Sequence, residues 1–439
     1  MSGCTTGDST GTVACRLTAP TYFRSGRLQA SDRVLDHSQG KKEETMALPD
    51  EERLQRAREG LKRAGLSGII CRLPENVLLL SGYWPMNGLA LLVFPLEGEP
   101  VLLAPEAEAY LAAESWVSDV RTFPWGLVDS GDPLEAMSQL LKQAAQDLHL
   151  QRGHIGYEGS FEFVAAPYVS AEPSVLSGRT LKMLRETFSD ALVDTTDTLH
   201  AWRLIKTPQE AERLRIVNEI ARFGLEAFFA NVVPGRSEIE IATAVESAIM
   251  VKGTGYKGTK VARAWASVMS GPRSAAAYKP HLLSTPRRLV EGDMAVLELA
   301  VVADGWWADL TRTRVAGRAR TEDRERWQAV VEAQQAACGA IRPGVPANTV
   351  DRAARDLLAQ RGLGPYFIHH TGHGLGLRYH EPEPFLHPAI SAPLQAGMVT
   401  SVEPGIYIDG WGGMRCEDDV LITASGAEIL SEFSRQLEG

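Results

Sequence analysis

Cysteine is scarce in this sequence. There are five (Cys4, Cys15, Cys71, Cys338, Cys416), odd in number, scattered, and without a CxxC pair. That spacing excludes a disulfide framework and a thiolate zinc site, and it fits a reducing cytoplasmic setting. Long apolar runs are missing as well. None approaches the ~18 residues needed to span a bilayer, so no membrane anchor is expected. Excess positive charge is a third absence: 45 Lys and Arg against 55 Asp and Glu leave a net −10, with no electrostatic footprint for nucleic acid or acidic lipid. What is present is ordinary for a folded soluble chain, 44% hydrophobic and 23% charged. At 439 residues it is too long for one core, and two domains are the natural expectation.

Residues 1–45 are rich in Ser, Thr and Gly and have no hydrophobic periodicity. They read as a disordered leader, or as an extension from a start codon upstream of Met46. From 51 to about 205 helical and strand patterns alternate: a charged helix over 51–64, SGIIC at 67–71, LALLVF at 89–94, PVLLA at 100–104, a helix near 105–115, a longer one near 133–148, and a strand at 153–159. That alternation predicts an α/β layer for 46–204. At Thr207 the character changes. Thr207, Pro208 and Glu210 form a capping-box signature, which opens a long helix over 208–231 and a second domain, 205–439. This half repeats itself: helix, Pro-Gly, helix closed by Gly, then strand-like segments. The two Pro-Gly pairs, 234–235 and 343–344, lie 109 residues apart. Two such units predict a pseudo-twofold axis with a cleft between their sheets. YFIHH (366–370), VTSVEP (399–404) and DVLIT (419–423) are read as strand-like segments of the second unit.

Acids occur where strands should be. Glu298 alternates with Val296 and Ala300; Asp309 follows 11 residues later, beyond an Asp304-Gly305 turn signal; Glu403 ends an apolar strand; Glu417 opens another. Acids within apolar strands are costly unless paired or bound to a cation. Singly, Glu298 or Asp309 reads as a surface acid, and His281 or His369 as a structural histidine. Asp418 and Asp419 read as solvated, or as groups that orient the site. The joint occurrence of four carboxylates with His373 is what points to a metal. The mixed carboxylate–imidazole chemistry suits Mn, Fe, Co or Zn in a catalytic site.

Several motifs resemble the pita-bread metallopeptidases, the family of Xaa-Pro dipeptidase (prolidase), aminopeptidase P and methionine aminopeptidase. RLIKTPQE resembles the start of that family's catalytic domain. GDMAVLELAVVADGWWADLTRT, TGHGLGLRYHE, VEPGIYI and MRCEDD resemble the segments that carry its metal ligands, and 46–200 resembles a creatinase-type N-terminal domain. The resemblance covers most of the chain and is strongest towards bacterial Xaa-Pro dipeptidases. It implies an α/β (α+β) fold: a creatinase-type N-terminal domain followed by a pseudo-twofold pita-bread domain. It also implies two divalent metal ions, Mn with Co or Zn as alternatives, held by Glu298, Asp309, His373, Glu403 and Glu417, with Asp309 and Glu417 bridging. A hydroxide between the ions would attack the scissile carbonyl, with Glu403 moving the proton and His281 and His380 stabilising the oxyanion. His369, flanked by Tyr366 and Phe367, would line the pocket beyond the cleaved bond, and Arg415 or Arg378 would meet the substrate carboxylate. The substrate implied is a small peptide with proline in second position, and the assembly a homodimer.

One residue departs from the pattern. The family has Asp where this chain has Glu298, and the added methylene moves the carboxylate by roughly a bond length, against a ligand-distance tolerance of about 0.2 Å. A monodentate Glu in place of a bidentate Asp is the expectation. The rival readings are an aminopeptidase P acting on longer Xaa-Pro peptides, a metal-free creatinase-type hydrolase, and an inactive binding module.

Overall fold

The structure, a computed structural model, describes residues 48–86, 88–125, 131–159, 177–188, 191–279 and 283–438. The reading of residues 1–45 lies outside these, as does the one of His281. Among the described residues no helix is long and apolar enough to cross a membrane.

The first helix, Glu51–Ala64, is capped by the Asp50 side chain on Arg53 N and stopped by Gly65 at φ 67°. It flanks a six-stranded sheet in the order Asp119–Phe123, Val101–Pro105, Leu91–Pro95, Gly68–Cys71, Ile155–Tyr157, Leu192–Asp194. The three central strands Gly68–Cys71, Leu91–Pro95 and Val101–Pro105 are buried at every position. That is why their sequences are continuous apolar runs without alternation. The helix expected near 105–115 is shorter, a 3-10 turn at Glu106–Glu108 followed by Ala109–Ala112.

The second half begins on the helix Pro208–Asn231. Thr207 Oγ1 accepts from Glu210 N at 3.2 Å and the Glu210 carboxylate accepts from Thr207 N at 2.9 Å, so both arms of the capping box form. Glu210 also takes Nε of Arg53 at 2.7 Å, which ties this start to the first helix. The internal repeat is visible in backbone hydrogen bonds. Gly235 N donates to Leu289 O at 2.8 Å and Leu289 N to Arg236 O at 2.8 Å; Gly344 N donates to Leu394 O at 2.8 Å and Leu394 N to Val345 O at 2.8 Å. Gly235 and Gly344 turn at φ 90° and 85°, and further along Gly292 and Gly397 do so at 84° and 92°. Each turn needs the left-handed region that glycine enters freely. After each second turn comes a core strand, Met294–Ala303 in one unit and Val399–Val402 in the other.

The first unit is an antiparallel sheet of Ala262–Ser270, Met294–Ala303 and Trp306–Val315. The second is a five-stranded sheet, Glu381–Leu386, Gly372–Gly374, Val399–Val402, Asp418–Thr423, Gly426–Ile429, with the hairpin Gly405–Ile408 and Gly412–Arg415 beside it. Two expectations are corrected. YFIHH is no strand: Gly364–Tyr366 is a 3-10 turn, and the next residues cross irregularly to Gly372. Asp418 and Asp419 are not solvated. Both are fully buried, Asp418 against Arg312 at 2.6 Å and Arg435 at 2.6 Å. A charge can sit there because two guanidiniums meet it.

Candidate metal centre

The turn at Asp304-Gly305, with φ 48° and 87°, folds one strand back on the next. Its tightness sets the register: Glu298 lies opposite Thr311, and Ala300 opposite Asp309. Strand alternation then puts Trp307, Asp309 and Thr311 on one face, with Glu298 beside them. The second unit meets this face with three short ends: His373 in Gly372–Gly374, Glu403 just after Val402, and Glu417 just before Asp418. Gly372 allows the approach, since a Cβ there would stand 1.9 Å from Ser401 O. Backbone bonds fix the junction: Glu417 N donates to Thr311 O at 3.1 Å, Glu403 N to Thr371 O at 2.8 Å, and Asp309 N to Asp419 Oδ2 at 3.1 Å. Asp419 therefore orients the strand that carries Asp309.

The five expected ligands converge. Glu298, Asp309 and Glu417 offer one atom each within 4.8 Å of one another; so do His373, Glu403 and Glu417, and so do Asp309, His373 and His380. Asp309, Glu417 and His373 each belong to two of these sets, and Asp309 and Glu417 are the two grouped both with Glu298 and with His373. Asp309 divides its oxygens: Oδ2 is 3.3 Å from His373 Nε2, and Oδ1 faces the Glu298 side at the Tyr379 hydroxyl. His373 Nδ1 lies 3.0 Å from Gly374 O, which holds the ring proton there. The Nε2 lone pair then points at carboxylate oxygens, a repulsive arrangement that a cation between them relieves.

The electrostatics agree. Burial raises Asp309 well above the usual carboxylate range, and the charges of Glu417, Glu403 and Asp419 push the same way. Burial takes Glu403 to about 7. Burial and the Glu403 charge take Glu417 to about 8. Burial also lowers His373, keeping it neutral. A neutral imidazole amid carboxylates that resist ionisation together is a donor set matched to hard or borderline dications. The residues present fit the metal pair implied by the sequence.

The neighbours sort as follows. The His380 ring stands 4.4 Å from His373. His369 Nε2 is 3.1 Å from the Tyr407 hydroxyl, and burial lowers its pKa to about 4. Phe367 is buried in the core with Arg355 over its ring at 4.2 Å, while Tyr366 is exposed. Arg415 is enclosed at 5% exposure. Its guanidinium contacts the Glu298 carboxylate, donates to Thr311 Oγ1 at 2.9 Å, to Ala277 O at 3.1 Å and to the Tyr407 hydroxyl at 3.0 Å. Those donors go to the protein, in place of the substrate carboxylate expected from the sequence. Four neighbours escaped sequence reasoning. Thr311 was findable, two residues from Asp309 on the same face; its hydroxyl lies 2.7 Å from Glu417 Oε2 and 3.1 Å from Glu298 Oε2. His370, 3.6 Å from Glu403, Tyr379 and Tyr407 carry no periodic signal that marks them.

The profile of the metallopeptidase family M24 matches residues 212–424, and that of the creatinase/prolidase N-terminal domain matches 53–205. An Xaa-Pro dipeptidase of Pyrococcus furiosus is 30% identical over 387 residues, 88% of this chain and 99% of its own. The crystal structure of the prolidase from Pyrococcus horikoshii superposes with a TM-score of 0.70 at 28% identity, covering 88% of this chain and 99% of that one. An X-Pro aminopeptidase from Thermotoga maritima gives 0.71 at 25% identity, with 86% and 99% covered. The chain belongs to metallopeptidase family M24, with a creatinase/prolidase-type domain preceding the catalytic one.

Proposed function

We propose that this chain is a metal-dependent dipeptidase that hydrolyses Xaa-Pro dipeptides. The observation that carries this reading is the convergence of Glu298, Asp309, His373, Glu403 and Glu417 at the junction of the two units, with Asp309 and Glu417 common to both halves of the cluster. Asp309 and Glu417 with Glu298 on one side, and with His373 and Glu403 on the other, would hold two divalent ions, which would supply Lewis acidity to the scissile carbonyl and acidify a water near neutral pH. The prolyl nitrogen leaves as a secondary amine and must gain a proton, since the tertiary amide carries none. Glu403, buried in the cluster, is suited to take a proton from water and pass it to that nitrogen. His380 and His281 donate to the carbonyl oxygen as charge develops on it. His369, braced by Tyr407, lines the proline side, and Arg415 acts by holding Glu298.

The same reading takes manganese as the metal, a homodimeric assembly, and domains at 46–204 and 205–439, which the profile matches support. A reducing, cytoplasmic setting is supported by Cys71, Cys338 and Cys416, all free and buried. The aminopeptidase alternative has its own support in the Thermotoga structure. Turnover of Ala-Pro and of Ala-Pro-Ala by the manganese-loaded enzyme separates the two. We expect the dipeptide to be cleaved faster; strong preference for the tripeptide overturns the dipeptidase reading.

A further inference from the structure

Glu298 poses a mechanical problem. A glutamate has one more rotatable bond than the aspartate it replaces, and its side chain is 29% exposed while that of Asp309 is 2% exposed. Packing alone does not fix it, yet a ligand atom must be placed to about 0.2 Å. Its Oε2 faces Thr311 and Arg415. Its Oε1 is met by a group that has no part in the proposed reaction, the hydroxyl of Tyr379, at 2.7 Å. The same hydroxyl lies 2.9 Å from Asp309 Oδ1. One phenol therefore spans two of the three carboxylates of the Glu298 side, Glu298 and Asp309, while Asp309 turns its other oxygen towards His373.

The phenol is itself rigidly mounted. Tyr379 is buried, with the His380 ring at 4.3 Å and the Trp307 ring at 5.8 Å. Its turn is pinned at three points. Trp307 N donates to Gly376 O at 2.8 Å, Leu377 N to Glu381 at 3.0 Å, and Arg378 Nε to Glu75 at 2.9 Å. Trp307 is two residues from Asp309 on the same strand face, so the turn moves as one piece with that ligand.

We propose that Tyr379 is the positioning residue that makes Glu298 usable as a ligand. The ion held by Glu298, Asp309 and Glu417 depends on the Tyr379 hydroxyl, and the ion held through His373 and Glu403 does not. This rests on the two-metal reading of the site, but it is read from metal binding and not from turnover. A chain that binds two ions and spares Xaa-Pro dipeptides sinks the substrate assignment and leaves this inference standing.

The test is Co(II) titration of the metal-free full chain by calorimetry, with metal analysis, for wild type, Tyr379→Phe, Glu298→Asp and the double variant. Phenylalanine keeps the ring against Trp307 and removes only the hydroxyl. Tyr379→Phe should bind one ion as wild type does and the other about 10–100-fold more weakly, the usual consequence of losing an outer partner of a ligand. In the Glu298→Asp background the same substitution should cost the weaker site clearly less than in wild type, because the shorter carboxylate falls short of the phenol and only the contact with Asp309 is left to lose. Equal losses at both sites, unchanged binding at both, or the same loss in both backgrounds overturn the inference. Wild type gives an independent reading even if a variant misfolds. Its tyrosine ultraviolet difference spectrum should change on filling one of the two sites and not the other; no change with either ion also overturns the inference.

Discussion

Stripping divalent metal from this protein and raising the pH from 6.5 to 9 should weaken its catalytic half by at least about 2–3 kcal/mol. The cause is the carboxylate cluster. Burial and the charge of Glu403 put Glu417 at about 8, and burial puts Glu403 at about 7. An unfolded Glu titrates near ~4.3. For an acid raised in the folded state, the folded chain binds more protons than the unfolded one between the two values. Stability therefore falls as pH rises through that interval and the loss is complete above the folded pKa. His369, His370 and His373 have the opposite sign, since burial depresses each. Their cost appears below the unfolded histidine pKa of ~6.5, so above it they add no slope. From 6.5 upward Glu417 still has roughly 1.5 pH units to run, about 2 kcal/mol, and Glu403 adds less than ~1 kcal/mol; Asp309 and Asp419, raised by the same burial, push in the same direction and make that sum a lower bound. Urea unfolding of the chelated protein at pH 6.5, 7.5 and 9, followed by tryptophan fluorescence, measures it. With saturating manganese the decline should vanish, because the ions bind the ionised carboxylates. A metal-free stability that is flat or rises over this window, or a slope that metal leaves alone, refutes the reasoning.

Three further predictions concern the frame around the site. Lys206 and Glu381 form a pair at 2.8 Å with side chains 2% and 1% exposed. Lys206→Met should cost about 3–5 kcal/mol in urea unfolding, and adding Glu381→Gln should recover most of it, because the cost lies in the stranded charge. Gly235→Ala and Gly344→Ala should each cost about 1–2 kcal/mol and match one another, since both have positive φ and open space around a Cβ. Gly372→Ala should cost more than either and lower the metal content, because its Cβ would meet Ser401 O beside His373.

Local chemistry explains what could be read from the sequence. The capping box at Thr207, the Asp304-Gly305 turn and the paired Pro-Gly turns each depend on residues a few positions apart, and each stands where the sequence placed it. The four acids and the imidazole were legible because charge inside apolar strands demands a partner, and the structure brings them within reach of one another. Non-local partners explain what was not. Asp418 looks solvated until Arg312 and Arg435, 106 and 17 residues away, are folded onto it. YFIHH has strand composition, but its last carbonyls are occupied elsewhere: Arg355 takes Phe367 O at 2.9 Å and His369 O at 2.9 Å. Arg415 sits beside a ligand motif in sequence, which suggested a substrate contact, and only the fold reveals that Glu298 and Thr311 surround it. Tyr379 is invisible for the same reason, as its two acceptors lie 81 and 70 residues away.

The central claim is that the cluster at the junction of the two units works as a metal centre for cleaving a bond to proline. The most direct measurement is Ala-Pro hydrolysis by the purified protein after exhaustive chelation, then through a manganese titration with metal content determined alongside. Hydrolysis should be negligible without metal and should recover in step with occupancy up to two ions per chain. Full activity in the chelated protein, or two bound ions with no hydrolysis of any Xaa-Pro substrate, would contradict it.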